Sequence, residues 1–232
     1  LKSVSSNHEV QMIFKADIDP SEVAAMIIEP IQGEGGFHQL TPTFAKKLRE
    51  ICDQHGIVLI FDEVQCGFGR TGTLFATEQL GVEPDLITSA KSLAGGFPIS
   101  ALMGRAEVMD APLPGGLGGT YAGSPLGTTA ALKVLEIIEE ENLLARSQEL
   151  GTKIAGFLSG LNNSKIAHIR HKGAMLAFDL VDSNGKPDME ATNALKAKAF
   201  EKGLLFASCG MYFNPIRVMV PLTIQDAASA EG

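Results

Sequence analysis

The sequence predicts an α/β protein in which an open, mostly parallel sheet with helices is followed by a smaller α+β region. Three observations carry this prediction. Short apolar runs of strand length alternate with helix-patterned segments in the first half of the chain. One run, Ile57–Phe61, is apolar at every position, the pattern of a strand buried on both faces of a parallel sheet. After a long helical stretch the chain changes to strand-like runs joined by turns.

The elements follow in order. Val23–Ile28 reads as a strand and stops at Glu29-Pro30. Thr41-Pro42 is a helix start signal, Phe44–Gln54 has helical spacing, and Gly56 ends it. Asp85–Thr88 and Ile99–Met103 read as two further short strands. From Pro125 to about Leu144 the chain is rich in Ala, Leu and Glu and predicts a helix, and a second helix covers about Ala145–Leu158. Ile166–Arg170 and Ala174–Leu180 follow as strands, with a turn near Asn184-Gly185. A helix over Thr192–Lys202 and strands at Leu204–Ala207 and Ile216–Val220 complete the reading. The domain boundary is expected within the long helices, giving a first domain over 1–144 and a second over 145–232.

Composition narrows the function. The 232 residues are 45% apolar and 20% charged, as in soluble globular enzymes. A net charge of −8, with no Lys/Arg block, disfavours binding to nucleic acid or to an anionic membrane. No apolar run approaches a membrane span, and no signal peptide is visible. Three widely spaced cysteines, Cys52, Cys66 and Cys209, argue against a disulfide framework and for a reducing cytoplasmic setting. There is no phosphate-loop motif, no Rossmann glycine spacing at 115–119, no nucleophile elbow and no zinc-ligand set. His168 and His171 fall on a strand-like segment, where their spacing directs them to opposite faces.

Chemistry concentrates in two stretches. In IVLIFDEVQCGFGRTG (Ile57–Gly72) an apolar strand ends in two acids and a Gly-rich loop. Ligands of open α/β sheets lie beyond the carboxyl ends of the strands, so Asp62 stands where a ligand would be. Alone, such an acid reads as a loop cap. In LITSAKSLAGGFP (Leu86–Pro98) a lysine follows a second short strand among small residues. A semi-buried lysine there can form a Schiff base. An acid and a lysine so placed are the pairing that pyridoxal phosphate needs, the acid keeping the ring nitrogen protonated.

Four segments, EPIQGEGG (Glu29–Gly36), DEVQCGFGRTG (Asp62–Gly72), SAKSLAGGFPISA (Ser89–Ala101) and GGLGGTYAGSPL (Gly115–Leu126), resemble the class-III, fold-type-I aminotransferases in order and spacing. The run SCGMYFNPIRVMVPLTI (Ser208–Ile224) is most similar to the members that act on 4-aminobutyrate. The resemblance implies the later part of a seven-stranded, mostly parallel cofactor domain, then a smaller α+β domain. It implies pyridoxal 5′-phosphate as cofactor and no metal. Lys91 would hold the cofactor and carry protons. Asp62 would pair with the ring nitrogen, Val64 would pack on the ring, and Gln65 would contact its phenolic oxygen. Thr120 would hold the cofactor phosphate of a neighbouring subunit in a homodimer or dimer of dimers. Arg217 would grip the substrate α-carboxylate, with Glu29 as its switchable partner.

The reaction implied is amino transfer from an ω-amino acid, 4-aminobutyrate first, to 2-oxoglutarate, giving succinate semialdehyde and glutamate. Ornithine, acetylornithine and an aminomutase reaction are the alternatives, as is an inert chain without cofactor. Family segments that precede this point, carrying the phosphate cup, a stacking aromatic and the distal-carboxylate arginine, have no counterpart in the sequence. The chain is therefore expected to be the middle and later portion of a longer aminotransferase, with poor cofactor binding and marginal folding on its own.

Overall fold

The computed structural model describes residues 6–226. They fall into two compact units. The first holds the residues up to Pro30, then Leu40–Gly67 and Phe75–Leu135; the second holds Ile31–Gln39, Phe68–Leu74 and the chain from Glu136.

The first unit opens with α1 (Asn7–Ala16), a helix absent from the sequence reading. Its signal was present: Ser6 caps it by accepting from the Glu9 N–H at 3.4 Å, and an acid three residues after a Ser is a helix-start pattern. Strand β1 (Ala25–Ile28) is shorter than the apolar run that predicts it. Helix α2 (Pro42–His55) follows from its ends. The Thr41 hydroxyl accepts from the Phe44 N–H at 3.2 Å, Pro42 fills the first turn, and Gly56 closes the helix at φ 68°. Its buried face, Phe44, Ala45, Leu48, Ile51 and Cys52, recurs at helical spacing. Strands β2 (Val58–Asp62), β3 (Leu86–Ser89) and β4 (Ala101–Gly104) complete a sheet of order β1-β2-β3-β4. The β1–β2 and β2–β3 pairs are parallel and β3–β4 is antiparallel.

The core lies between α1, α2 and β2, with Val10, Phe44, Leu48, Leu59 and Phe61 in one cluster. β2 is not sealed on both faces, as an all-apolar run predicts: Leu59 and Phe61 are fully buried, while Val58 and Ile60 are only half-buried. The short helix α3 (Ala106–Met109) follows β4, and α4 (Pro125–Glu140) carries the chain from the first unit into the second.

In the second unit, α5 (Leu143–Gly160) begins after Asn142, which takes a left-handed conformation at φ 51°. That break, rather than a continuous helix to Leu144, separates α4 from α5. Strands β5 (Ile166–Lys172) and β6 (Met175–Leu180) form a hairpin. Its turn needs Gly173: at φ 53° a Cβ would lie 2.4 Å from the Ser147 hydroxyl and 2.5 Å from the Thr71 carbonyl carbon. A bulge between Ala167 and Arg170, with His168 at φ 50°, interrupts the alternation of β5, so His168 and His171 cannot be assigned faces by counting. The Asn184-Gly185 turn is closed by the Asp182 carboxylate, which accepts from the Asn184 and Lys186 N–H groups at 2.8 and 2.9 Å. Helix α6 (Met189–Glu201) is capped by Asp188. Strands β7 (Ala207–Ser208) and β8 (Pro215–Val218) finish an antiparallel sheet of order β5-β6-β8-β7. β7 starts later than predicted because it pairs with β8 only at Ala207 and Ser208. Leu176, Phe178, Leu180, Ile216 and Val218 form the core, against residues of α5 and α6 that include Ile154, Leu158 and Leu195.

All three cysteines are free and buried. Burial pushes the Cys52 and Cys209 thiols up to about 11. Among the described residues no helix is long and apolar enough to cross a membrane.

One buried charge ties the first unit together. Asp85, 5% exposed, precedes β3 and accepts from the Leu59 N–H at 2.7 Å, Arg49 Nη1 at 2.8 Å and Arg105 Nη1 at 3.0 Å. Burial raises its proton affinity, but the Leu59 N–H and the two guanidinium groups outweigh that and hold the carboxyl below the usual range. A lowered folded-state pKa contributes stability above the unfolded value, near 3.9, and loses it as pH falls through the folded value. Asp85→Ala is expected to destabilise the chain by about 3–5 kcal/mol at neutral pH, by urea unfolding. The gap to wild type should close progressively below about pH 4.

Candidate active site

The carboxyl ends of the parallel strands gather most of the residues singled out in the first unit. Asp62 is the last residue of β2 and stands opposite Thr88 of β3. Its Oδ1 accepts from the Val64 N–H, a tight local turn of the kind that Asp favours, and from the Thr88 hydroxyl, each at 3.0 Å. Its Oδ2 has no partner among the described residues. Val64 and Gln65 are half-buried, and the buried Gln65 Oε1 is also without a partner.

Lys91 begins a short 3-10 helix, Lys91–Ala94, immediately past β3. It takes φ 46°, a left-handed conformation that costs a non-glycine residue energy and that clusters at functional sites. Lys91 is expected from its sequence context to be semi-buried. It is exposed, because Leu93 and Ala94 take the buried positions of this turn. Glu29 is half-buried, one residue past β1. Thr120 is exposed on a turn ahead of α4 and does not cap that helix.

Arg217 lies on β8 of the second unit, paired in the ladder with Ala177 and Ala207. Arg217 Nη1 donates to Glu34 Oε1, a carboxylate of the same unit. Glu34 sits in the loop closed by the Ile31–Gln39 bridge. That loop is fastened beside β8 by the Gly210 N–H on the Glu34 carbonyl at 2.9 Å and by Arg170 Nε on the Gly36 carbonyl at 2.6 Å. Arg170 is itself paired with Asp179 at 2.8 Å. Glu29 belongs to the other unit, at the end of β1, so the two acids of EPIQGEGG take different places in the fold. The Arg217 side chain is 14% exposed, whereas that of Glu34 is 76% exposed. Arg217 Nε is buried and unpaired, which leaves a donor for a second carboxylate.

A family model described as aminotransferase class-III matches residues 3–232. The chain belongs to the class-III aminotransferases. Over 227 residues this class-III chain is 52% identical to the 4-aminobutyrate aminotransferase GabT of Escherichia coli strain K12, covering 96% of the chain and 53% of that protein. Identity to the 5-aminovalerate aminotransferase DavT of Pseudomonas aeruginosa is also 52%, with the same 96% and 53% coverage. Among solved structures, the ornithine aminotransferase of Toxoplasma gondii superposes with a TM-score of 0.86 at 34% identity, over 98% of this chain and 52% of that one. The acetylornithine aminotransferase of Elizabethkingia anophelis gives 0.83 at 31% identity, over 96% and 55%. The chain spans about half the length of the curated relatives it matches.

Sequence reasoning missed two acids, one in each unit, that pair with residues around the predicted positions. One is Glu34. The other is Glu63, which is 0% exposed. Its Oε1 accepts from the Thr77 N–H at 2.7 Å, and its Oε2 accepts from the Ala76 N–H at 3.0 Å and the Cys66 thiol at 3.1 Å. The signal was the pair of successive acids at a strand end. Neighbouring strand residues face opposite sides of the sheet, so one of two such acids turns inward. Glu63 thus holds the chain after β2 against the start of the short 3-10 helix Ala76–Gln79, and Cys66 is a packing residue. Glu63→Ala is expected to cost about 3 kcal/mol in urea unfolding, because it leaves buried donors unpaired. Asp62→Ala, at a half-buried position, should cost roughly 1 kcal/mol or less.

Proposed function

We propose that this chain carries the lysine, the ring-nitrogen acid and the substrate clamp of a pyridoxal-phosphate-dependent transamination, from an ω-amino acid to a 2-oxo acid. The observation that carries the proposal is the placement of Asp62 at, and Lys91 just past, the carboxyl ends of adjacent parallel strands, with Gln65 Oε1 unpaired and both hydrogen bonds to Asp62 falling on Oδ1. These groups fit a ring that bears an N–H and a phenolic oxygen; the Gln65 amide can present either its oxygen or its NH₂ to it. Bound there, pyridoxal phosphate supplies an electron sink for the carbon that loses a proton.

The chain's own residues do the rest. Asp62 Oδ2 accepts from the ring N–H and keeps it protonated. Val64 offers an apolar contact to the ring face. The exposed amine of Lys91 takes the proton from the amine-bearing carbon of the substrate and returns it at the next position, as a general base and then an acid. Thr120 serves the phosphate of a second copy of the chain. Its exposure supports this, as does the exposure of its apolar neighbours Leu117 and Tyr121, a surface of the kind another chain covers.

The Arg217–Glu34 pair supports an enzyme that alternates between two substrates. An ω-amino acid such as 4-aminobutyrate has no carboxylate on its reacting carbon, and Glu34 then neutralises Arg217. 2-Oxoglutarate brings an α-carboxylate, which replaces Glu34 on the guanidinium. Exposure of Glu34 gives it room to leave. This role, assigned to Glu29 from sequence, passes to Glu34. A donor one carbon longer, 5-aminovalerate, has equal support from identity to the relatives named for each donor.

Two measurements test the reading. Lys91→Ala should lower turnover by at least about 10²–10⁴-fold, and activity within tenfold of wild type would remove the assignment. In single-turnover kinetics, Arg217→Ala should slow the 2-oxoglutarate half-reaction by about thirtyfold or more and spare the 4-aminobutyrate half-reaction. Glu34→Ala should show the opposite bias. Equal losses in both halves for both variants would leave only a structural ion pair.

A further inference from the structure

Asp62 is restrained from two directions. The Val64 N–H reaches Oδ1 from within the turn that follows β2, and the Thr88 hydroxyl reaches the same oxygen from the neighbouring strand, both at 3.0 Å. Thr88 is well placed for this. The parallel register sets it directly opposite Asp62, and its carbonyl accepts from the Glu63 N–H at 3.0 Å, so its backbone is fixed beside the acid that it serves. The last torsion of an aspartate is broad and roughly two-fold. With only the local turn to hold it, the carboxylate could swing and exchange its oxygens. Two donors converging on Oδ1 restrict that freedom and leave Oδ2 as the oxygen open to a further donor.

We propose that Thr88 is a positioning residue whose hydroxyl locks the Asp62 carboxylate so that Oδ2 is presented to the ring N–H of the cofactor. The proposal rests on the reading of Asp62 as the partner of the ring nitrogen. Thr88 would act through Asp62 and not on the substrate or cofactor.

Thr88→Val keeps the branched shape and strand preference of the residue and removes the hydroxyl, whereas Thr88→Ser keeps the hydroxyl and removes the methyl. The two variants and wild type, loaded with pyridoxal phosphate labelled with nitrogen-15 in the ring, are compared in two readouts: the ring-nitrogen chemical shift and cofactor affinity by equilibrium dialysis. In Thr88→Val the shift should move toward that of the unprotonated ring and affinity should fall by about three- to tenfold. Thr88→Ser should match wild type in both. Wild-type shift and affinity in Thr88→Val, alongside altered values in Asp62→Asn, would overturn the role of Thr88 and leave that of Asp62 standing. A Thr88→Ser variant that loses the ring-nitrogen signature would also overturn it, because the methyl and not the hydroxyl would then matter; this holds even if Thr88→Val does not fold. Unchanged values in Asp62→Asn as well would remove the ring-nitrogen reading, and this proposal with it.

Discussion

The parallel register between β2 and β3 is the constraint on which the candidate site depends. Pairing Ile60 with Leu86 and Phe61 with Ile87 brings Asp62 opposite Thr88 and sets Lys91 just beyond the same edge. A slip of one residue would turn Asp62 inward and Glu63 outward, because side chains alternate across a sheet. The register is held by burial of Leu59 and Phe61 on one face and by Asp85, which ties the backbone of β2 to the start of β3 through the Leu59 N–H. Packing at one end of the strands thus fixes chemistry at the other.

Two buried carboxylates and one half-buried one do the fastening in this chain, each satisfied by a different kind of donor. Asp85 takes two guanidinium groups and a backbone N–H. Glu63 takes two backbone N–H groups and a thiol. Asp179 takes Arg170, which in turn holds the loop that carries Glu34. A carboxylate left unpaired in such places would be costly, so each marks a fixed point of the backbone. Gln65 Oε1 and Arg217 Nε are among the buried polar atoms without partners, and they lie on residues that the family resemblance assigns to cofactor and substrate.

Local signals made much of the fold legible. Thr41, Pro42 and Gly56 bound α2, the apolar run before Asp62 gives β2, and the Asn184-Gly185 turn is where it was read. Such features depend on caps, turn residues and short-range periodicity, which a sequence displays directly. Elements that depend on a partner were less legible. β7 is cut to the residues that β8 pairs, and the bulge in β5 voids a count of faces along that strand.

By itself the sequence determined the α/β class and the class-III family, because contiguous motifs with fixed spacing carry them. The tertiary structure decided which groups meet. The loop held by Gly210 and Arg170 brings Glu34 to Arg217, a pairing of residues more than 180 positions apart. Asp62 and Glu63 are neighbours, yet the pleat turns one toward the open edge and the other into the core, where Ala76 and Thr77 meet it. Thr88 carries no motif signal; register alone sets it beside Asp62. These pairings join residues far apart in the chain, and no local pattern encodes a contact whose other half lies on a different strand or loop.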